Sequence, residues 1–382
     1  MILENGMIFR GEHGFVRGSV LIEDGRFGAV RETDRGTSRE ARERIDLQGA
    51  YVIPGLIDIH THGNMGCDFS DGEYDGLVTM GRYLAQNGVT SFLPTSMTLP
   101  YETLERAYRA AERYVRETPE KAARVLGIHM EGPFFSEKKK GAQNSAYLRD
   151  PDAAACRRLD DACGGLIRII DAAPELPGAA AFAGELGRDH LVSAAHTDAS
   201  YEDARRYFQA GAAHLTHLFN AMPGLHHREP GVIGAAAEDE KVTAELICDG
   251  MHVHPSAVRA AFRLFPGRIC LISDALRCCG MPDGEYELGG QMVYLKDNVA
   301  RLENGTIAGA ASCLYEDMRS AVRFGISPVQ AVMAATMIPA RAIGCAGEVG
   351  SIEEGKLADF VICDADLKLK QVFLGGERIC SR

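Results

Sequence analysis

The chain has 382 residues, 46% of them hydrophobic and 25% charged, with a net charge of −12 at pH 7. The acidic balance argues against nucleic-acid or anionic-membrane partners. No stretch of about 18 apolar residues predicts a membrane span. The N-terminus has no signal-peptide pattern, and eleven cysteines without a paired framework are typical of reduced thiols, so we expect a cytoplasmic protein.

The two ends of the chain have the pattern of short strands. Residues 1–53 alternate apolar and polar side chains and contain the turn signals Asn5-Gly6 and Asp24-Gly25. Residues 347–382 show the same alternation around Gly375-Gly376. We therefore expect both ends to join into one small β-sandwich domain, with residues 54–346 forming a separate domain between them.

Residues 54–346 predict an α/β protein, because apolar strands alternate with helical stretches such as residues 102–117. The predicted strands are residues 52–58, 90–95, 125–130, 166–170, 191–195, 212–216, 244–248 and 269–273. Eight strands are the number that closes a TIM (β/α)8 barrel, a fold that uses about 250 residues. The glycine-rich residues 276–310 predict an insertion of short strands after the eighth.

Metal-capable side chains follow five of these predicted strands. They are His60 and His62 after the first strand, Glu131 after the third, His196 after the fifth, His217 after the sixth and Asp274 after the eighth. A lone histidine is more often a buried packing residue than a ligand. The C-terminal ends of barrel strands, however, all face the rim where active sites form, so the joint pattern predicts a divalent-metal site in a hydrolytic enzyme.

Longer motifs resemble the amidohydrolase superfamily and, within it, the deacetylases of N-acetylglucosamine 6-phosphate. The matching segments are residues 54–63, 129–134, 140–143, 217–222, 226–231, 249–252, 273–275 and 307–309. The first segment is shared across the superfamily and specifies only fold and metal. The segments at 129–134, 217–222 and 226–231 are much more specific to these deacetylases.

The resemblance assigns roles to individual positions. It implies that Glu131, His196 and His217 are metal ligands and that Asp274 is the catalytic carboxylate, which takes a proton from water and returns it to the leaving nitrogen. The positions implied to contact the sugar phosphate are Ala142, Gln143, Asn220, Ala221, Arg228, His252, Ile307, Ala308 and Gly309. The family also implies a homodimer whose phosphate pocket is completed across the interface.

Two departures from the family pattern affect these expectations. Some relatives lack the first-strand histidine pair and use one metal, whereas His60 and His62 can support a second ion here. Some relatives carry histidine where Gln143 stands, so the substrate contact there is expected to differ. Zinc is favoured by nitrogen-plus-carboxylate ligation, and iron, cobalt and manganese fit similar sites.

The expected reaction is metal-dependent hydrolysis of the acetamide of N-acetyl-D-glucosamine 6-phosphate to D-glucosamine 6-phosphate and acetate, in amino-sugar catabolism. One alternative is the same reaction on the galactosamine epimer, which differs in the orientation of one hydroxyl. Another is a catalytically inactive barrel that only binds sugar phosphates; such a protein is expected to lack the metal ligands.

Overall fold

A ring of eight parallel strands forms the centre of the protein in the computed structural model, which describes residues 1–31 and 43–381. In chain order, barrel strands 1 to 8 are Leu56–Thr61, Val89–Ser96, Ile128–Phe134, Ile167–Ala172, Leu191–Ala194, His214–Leu215, Thr243–Ile247 and Ile269–Ile272. The ring closes where Asp274 donates its backbone N–H to the carbonyl of His60 and His62 donates to that of Ala275, both over 2.9 Å. The predicted TIM barrel is confirmed.

The barrel strands are buried on both faces, which explains why their sequences are apolar runs and do not alternate between apolar and polar residues. All eight residues of Val89–Ser96 and all four of Ile269–Ile272 are buried. Polar residues within these strands are therefore placed where a hydrogen-bond partner must exist.

Ten α-helices occur in the described residues, most of them between successive barrel strands. They are Tyr74–Gln86, Tyr101–Glu117, Ala153–Ala162, Ala179–Leu186, Tyr201–Ala210, Gly231–Glu238, Pro255–Leu264, Leu314–Arg323, Pro328–Ala335 and Met337–Ala342. Short 3-10 helices occupy Gly11–His13, Phe69–Asp71, Glu137–Lys139 and Ser145–Tyr147. Among the described residues, no helix combines the length and the apolar character needed to cross a bilayer.

Helix Tyr101–Glu117 begins one residue before the predicted segment. Its buried side chains include Leu104, Ala107, Tyr108 and Ala111, the three- and four-residue spacing of an amphipathic helix. Ion pairs between residues four apart cover its exposed face.

The two ends of the chain meet in one mixed sheet, as the alternating pattern predicted. Its strands are Ile2–Phe9, Phe15–Glu23, Arg26–Arg31, Arg44–Asp46, Tyr51–Pro54, Phe360–Cys363, Leu369–Leu374 and Glu377–Ser381. The join is the antiparallel pairing of Tyr51–Pro54 with Phe360–Cys363. A separate apolar cluster, with Phe27, Phe360 and Phe373 fully buried, lies against this sheet. We propose domain boundaries between residues 53 and 54 and between residues 346 and 347, although strand Tyr51–Pro54 extends one residue past the first boundary.

The predicted insertion after barrel strand 8 is a four-stranded antiparallel sheet. It consists of Gly284–Leu288, Gln291–Lys296, Val299–Leu302 and Ile307–Ala310. Ala310 donates its N–H to the carbonyl of Asp274 over 2.9 Å, so the last strand lies beside the end of barrel strand 8. A two-stranded pairing of Gly63–Asn64 with Cys67–Asp68 follows barrel strand 1, and the short strand Arg124–Val125 pairs with barrel strand 2.

Candidate metal centre and active site

The first ligand group consists of His60, His62 and Asp274. His60 and His62 are two residues apart at the end of barrel strand 1, so their side chains leave the strand on the same face. The Nε2 atom of His62 lies 3.4 Å from His60 Nε2 and 3.3 Å from Asp274 Oδ1, and His60 Nε2 lies 3.6 Å from the same oxygen. Three possible ligand atoms therefore surround one point.

The second ligand group consists of Glu131, His196 and His217, from the ends of barrel strands 3, 5 and 6. Glu131 Oε1 lies 3.1 Å from His196 Nε2 and 3.2 Å from His217 Nε2, and the two nitrogens are 3.1 Å apart. All three residues are buried. This group is more closely spaced than the first.

Glu131 lies between the two ligand groups. Its Oε2 is 3.4 Å from His62 Nε2, and its Oε1 is 3.6 Å from His60 Nε2. One carboxylate thus faces four imidazole rings. The carboxylate of Glu131 can serve both groups, and the buried clusters are consistent with a metal site of the binuclear kind.

Hydrogen bonds on the far side of the rings show that this donor set fits a cation. His62 Nδ1 lies 3.1 Å from the carbonyl of Thr95, and His196 Nδ1 lies 2.9 Å from that of Lys139. A carbonyl only accepts, so each neutral ring carries its proton on Nδ1 and presents a bare Nε2 lone pair to the centre. Converging lone pairs and carboxylates repel one another until a divalent cation lies between them.

The charges of the site point to the same conclusion. Burial alone lowers the pKa of His62 and His217, but the carboxylates of Glu131 and Asp274 outweigh it and raise both pKa values to about 9. Burial raises the pKa of Glu131, yet the hydrogen bonds to His196 and His217 hold it well below its usual value. The site therefore concentrates negative charge, which a dication neutralises in place of protons.

Left-handed backbone aims several of these side chains at the centre. The φ angles of His196, His217 and Asp274 are 43°, 33° and 51°. Such values cost about 1–3 kcal/mol each in residues other than glycine and persist where the surroundings impose them. Strand ends that turn this sharply bring the next side chain to the rim of the barrel.

A cavity of about 420 Å³ opens over both ligand groups, a size suited to a small ligand. Its lining includes most of the predicted site residues: His62, Glu131, Ala142, Gln143, His196, His217, Asn220, Ala221, His252, Asp274, Ile307, Ala308 and Gly309. His60 is fully buried behind this lining. The last strand of the insertion sheet contributes Ile307, Ala308 and Gly309 to the cavity wall.

The comparison with known proteins decides the family. The model of the amidohydrolase family matches residues 51–379, which is most of the chain.

The chain belongs to the amidohydrolase family.

Similar proteins of this family act on N-acetylated amino-sugar phosphates. The N-acetylglucosamine-6-phosphate deacetylase of Vibrio furnissii is 35% identical over 363 residues, which cover 94% of this chain and 89% of the relative. The N-acetylgalactosamine-6-phosphate deacetylase of Escherichia coli O157:H7 is 37% identical over 329 residues, covering 85% and 87%.

A solved structure shows the same fold over its full length. A mutant N-acetyl-D-glucosamine-6-phosphate deacetylase from Mycobacterium smegmatis, in complex with N-acetyl-D-glucosamine-6-phosphate, superposes with a TM-score of 0.92 at 33% identity, covering 100% of this chain and 99% of that one. The resemblance stated from the sequence motifs is thereby confirmed.

Two predicted substrate residues of this amidohydrolase have other partners. Gln143 donates from Nε2 to Glu131 Oε2 over 2.6 Å and accepts the N–H of Thr98 over 2.8 Å, so both ends of its amide are engaged. Arg228 lies on an exposed loop outside the cavity lining, and its guanidinium is 2.8 Å from His227 Nε2. Substrate contacts for both residues stay predictions.

The sequence analysis missed residues that lie around or beneath the site. Met97, Lys138, Lys139 and Thr306 also line the cavity. Glu245, in the middle of barrel strand 7, contacts His60 from behind. The available signal for Glu245 was a charged residue within an apolar strand, where burial requires partners.

Proposed function

We propose that this amidohydrolase cleaves the acetamide of N-acetyl-D-glucosamine 6-phosphate, producing D-glucosamine 6-phosphate and acetate, in amino-sugar catabolism. The observation that carries the proposal is one cavity whose lining includes residues of both ligand groups, Asp274 among them. Relatives such as the Vibrio furnissii deacetylase support the choice of substrate.

His60, His62, Asp274 and Glu131 would hold one divalent ion, and Glu131, His196 and His217 would hold the other. Ligation by nitrogen and carboxylate favours zinc, with iron, cobalt and manganese as alternatives. Such an ion lowers the pKa of a water toward about 7 and polarises a carbonyl oxygen.

Asp274 is placed to move the proton that the reaction requires. Burial raises the pKa of its carboxyl, but His60 and His62 outweigh burial and hold that pKa below its usual value. The carboxylate is therefore ionised at neutral pH and can accept a proton from the attacking water. As the C–N bond breaks, Asp274 returns the proton to the sugar nitrogen, so the product leaves as an amine.

The sugar phosphate would occupy the rest of the cavity. Asn220 and Ala221 lie on one side, and His252 and the strand Ile307–Ala310 complete the wall. The φ angle of Ala221 is 52°, so the chain turns sharply there. We also propose a homodimer, because Arg228 is exposed in the single chain and is free to meet a phosphate bound next to a second copy.

The galactosamine epimer is the second candidate substrate. The Escherichia coli O157:H7 relative, 37% identical to this chain, carries the name N-acetylgalactosamine-6-phosphate deacetylase. The two substrates share the acetamide and the phosphate, so the ligand groups and Asp274 serve both. An inactive barrel has less support, because all six metal-capable side chains converge at one centre.

Acetate release from both N-acetylated hexosamine 6-phosphates tests the proposal. We expect faster release from the glucosamine compound, loss of release after chelation, and recovery when Zn²⁺, Mn²⁺, Co²⁺ or Fe²⁺ is added back. Faster release from the galactosamine compound would establish the second candidate instead. Absence of acetate from both substrates with every metal would show that the proposed reaction is wrong.

A further inference from the structure

Glu245 is a carboxylate buried beneath the metal centre. It lies in the middle of barrel strand 7 and has no exposed surface. Its Oε2 is 2.8 Å from His60 Nδ1 and 3.2 Å from the backbone nitrogen of His217. Its Oε1 is 3.2 Å from His214 Nε2. One side chain therefore contacts a residue of each ligand group.

The contact with His60 determines which ring nitrogen is free. A carboxylate accepts, so His60 donates from Nδ1 and leaves the lone pair of Nε2 directed at Glu131 and Asp274. Carboxylates behind imidazole ligands fix the ring orientation and raise its basicity. With the opposite tautomer, Nε2 would carry a proton and could not bind a cation.

The contact with His217 holds a strained turn. His217 has a φ of 33°, and its Nδ1 has no hydrogen-bond partner among the described residues. Because no described residue holds the ring from behind, the direction of its Nε2 depends on the position of the His217 backbone. Glu245 accepts the N–H of His217 with its side chain and that of Leu218 with its main-chain carbonyl, the latter over 2.9 Å.

We propose that Glu245 is a positioning residue that prepares both ligand groups for metal binding. The inference rests on the proposed metal site, but not on which sugar phosphate is hydrolysed. Glu245 touches neither the cavity nor the substrate space, so it acts only through His60 and His217.

The chain offers a matched control in Asp171. This carboxylate is also fully buried in a barrel strand, and it accepts from Thr216 Oγ1 over 2.9 Å and lies 3.1 Å from His129 Nε2. Its hydrogen bond and its close contact reach Thr216 and His129, and neither of these residues belongs to the first or the second ligand group. Removing it deletes a buried charge at a similar depth without touching a ligand.

The test is a titration of the metal-free full chain with Co²⁺, followed by visible absorption without substrate. We expect Glu245→Leu to weaken Co²⁺ binding about 10- to 100-fold, because no acceptor then faces His60. Glu245→Gln should lose less, since an amide oxygen at the Oε2 position keeps both bonds. Asp171→Leu should bind like the wild type. Wild-type affinity in Glu245→Leu, or equal losses in Glu245→Leu and Asp171→Leu, would overturn the proposal.

A measurement on the wild type covers the case in which Glu245→Leu does not fold. Long-range proton–nitrogen NMR of the Zn²⁺-loaded chain reports the tautomer of each histidine ring. We expect a proton on His60 Nδ1; a proton on Nε2 would contradict the assigned role. Acetate release by the wild type is measured separately, so a failure of this inference leaves the deacetylase proposal standing.

Discussion

The two ligand groups are held by different parts of the molecule. His60 belongs to barrel strand 1 and His62 follows it directly, and both rings are fixed from behind by buried groups of other barrel strands, Glu245 and the carbonyl of Thr95. In the second group, His196 follows a strand end in a left-handed conformation and is fixed by the carbonyl of Lys139, the last residue of the short 3-10 helix Glu137–Lys139. The histidines of the first group are thus built into the barrel frame, and the second group depends more on loops and turns.

Spacing adds to this contrast. The nitrogen and oxygen atoms of the second group approach within 3.1 to 3.2 Å of one another. In the first group the corresponding separations are 3.3 to 3.6 Å. The carboxylate of Glu131 belongs to the second group and reaches into the first. We therefore expect the second group to bind its ion more tightly.

The largest expected effect comes from Asp274→Asn. An amide cannot accept the proton of water, so turnover should fall by about 10²–10⁴-fold, the usual range for a lost general base. Acetate release under saturating substrate measures the loss. Metal content should stay close to the wild-type value, because the amide oxygen of asparagine can still face the first ion and the second group of Glu131, His196 and His217 is unchanged.

The appropriate control for Asp274→Asn is thermal unfolding, which should match the wild type. Near-normal turnover in a folded, metal-loaded variant would remove the proton-transfer role from Asp274. Loss of the first group's ion would instead assign Asp274 a purely ligating role.

A comparison of Glu131→Gln with His62→Ala tests the difference in metal binding between the two ligand groups. Glu131 faces both groups, so Glu131→Gln should weaken both ions, whereas His62→Ala should reduce the metal content from two equivalents to one. The expected loss of affinity for each affected ion exceeds the roughly 10- to 100-fold typical of a residue behind a ligand, because Glu131 and His62 would contact the ion directly. Metal analysis after dialysis against a weak chelator provides the numbers. Two retained equivalents in His62→Ala would show that the first group does not hold an ion.

Arg228→Ala tests whether the exposed loop beside the cavity contacts the phosphate of the substrate. If a second chain brings this loop to the phosphate, loss of a charge-assisted hydrogen bond of about 1.5–3 kcal/mol should raise KM by about tenfold or more. The unphosphorylated sugar should show no such change, which makes it the internal control. Equal changes in KM for both sugars would argue against a phosphate contact by Arg228.

The barrel could be predicted from sequence because each of its strands is an apolar run followed by a polar residue at a turn. Burial on both faces produces that pattern directly, as in Ile269–Ile272 followed by Asp274. The pairing of Tyr51–Pro54 with Phe360–Cys363 was predicted only as a joining of the two ends. Its register depends on contacts about 300 residues apart in sequence, which local patterns do not encode.

The convergence of the metal-capable side chains was predictable from the sequence, and the residues that support them were less so. His196 and His217 stand at strand ends, so the fold places them without further information. Glu245 lies within a strand, and only the three-dimensional structure shows that its side chain points toward His60. Arg228 shows a different limit of prediction from sequence. A motif shared with relatives does not tell whether its loop contacts the cavity of its own chain or that of a second chain.

The smallest expected effect concerns stability on the side of the barrel that holds the first group. Asp317 lies on helix Leu314–Arg323, which packs against barrel strands 8 and 1. Burial raises the pKa of its carboxyl well above the usual 3.8, with the charge of Asp249 adding to the shift. The native state therefore keeps a proton that the unfolded chain releases, and stability should fall as pH rises from about 4 toward the raised pKa.

Asp317→Asn removes this titration, because an amide carries no ionisable proton. We expect the variant to have a flatter dependence of unfolding free energy on pH and to gain stability relative to the wild type as the pH rises. Urea unfolding at about pH 5 and about pH 8 measures both slopes. Glu316→Gln, at the neighbouring exposed position, is the control and should keep the wild-type slope, since its carboxylate remains in solvent. Parallel slopes in the wild type and Asp317→Asn would show that the native state does not hold this proton. Turnover should be unchanged in both variants, because neither side chain lines the cavity.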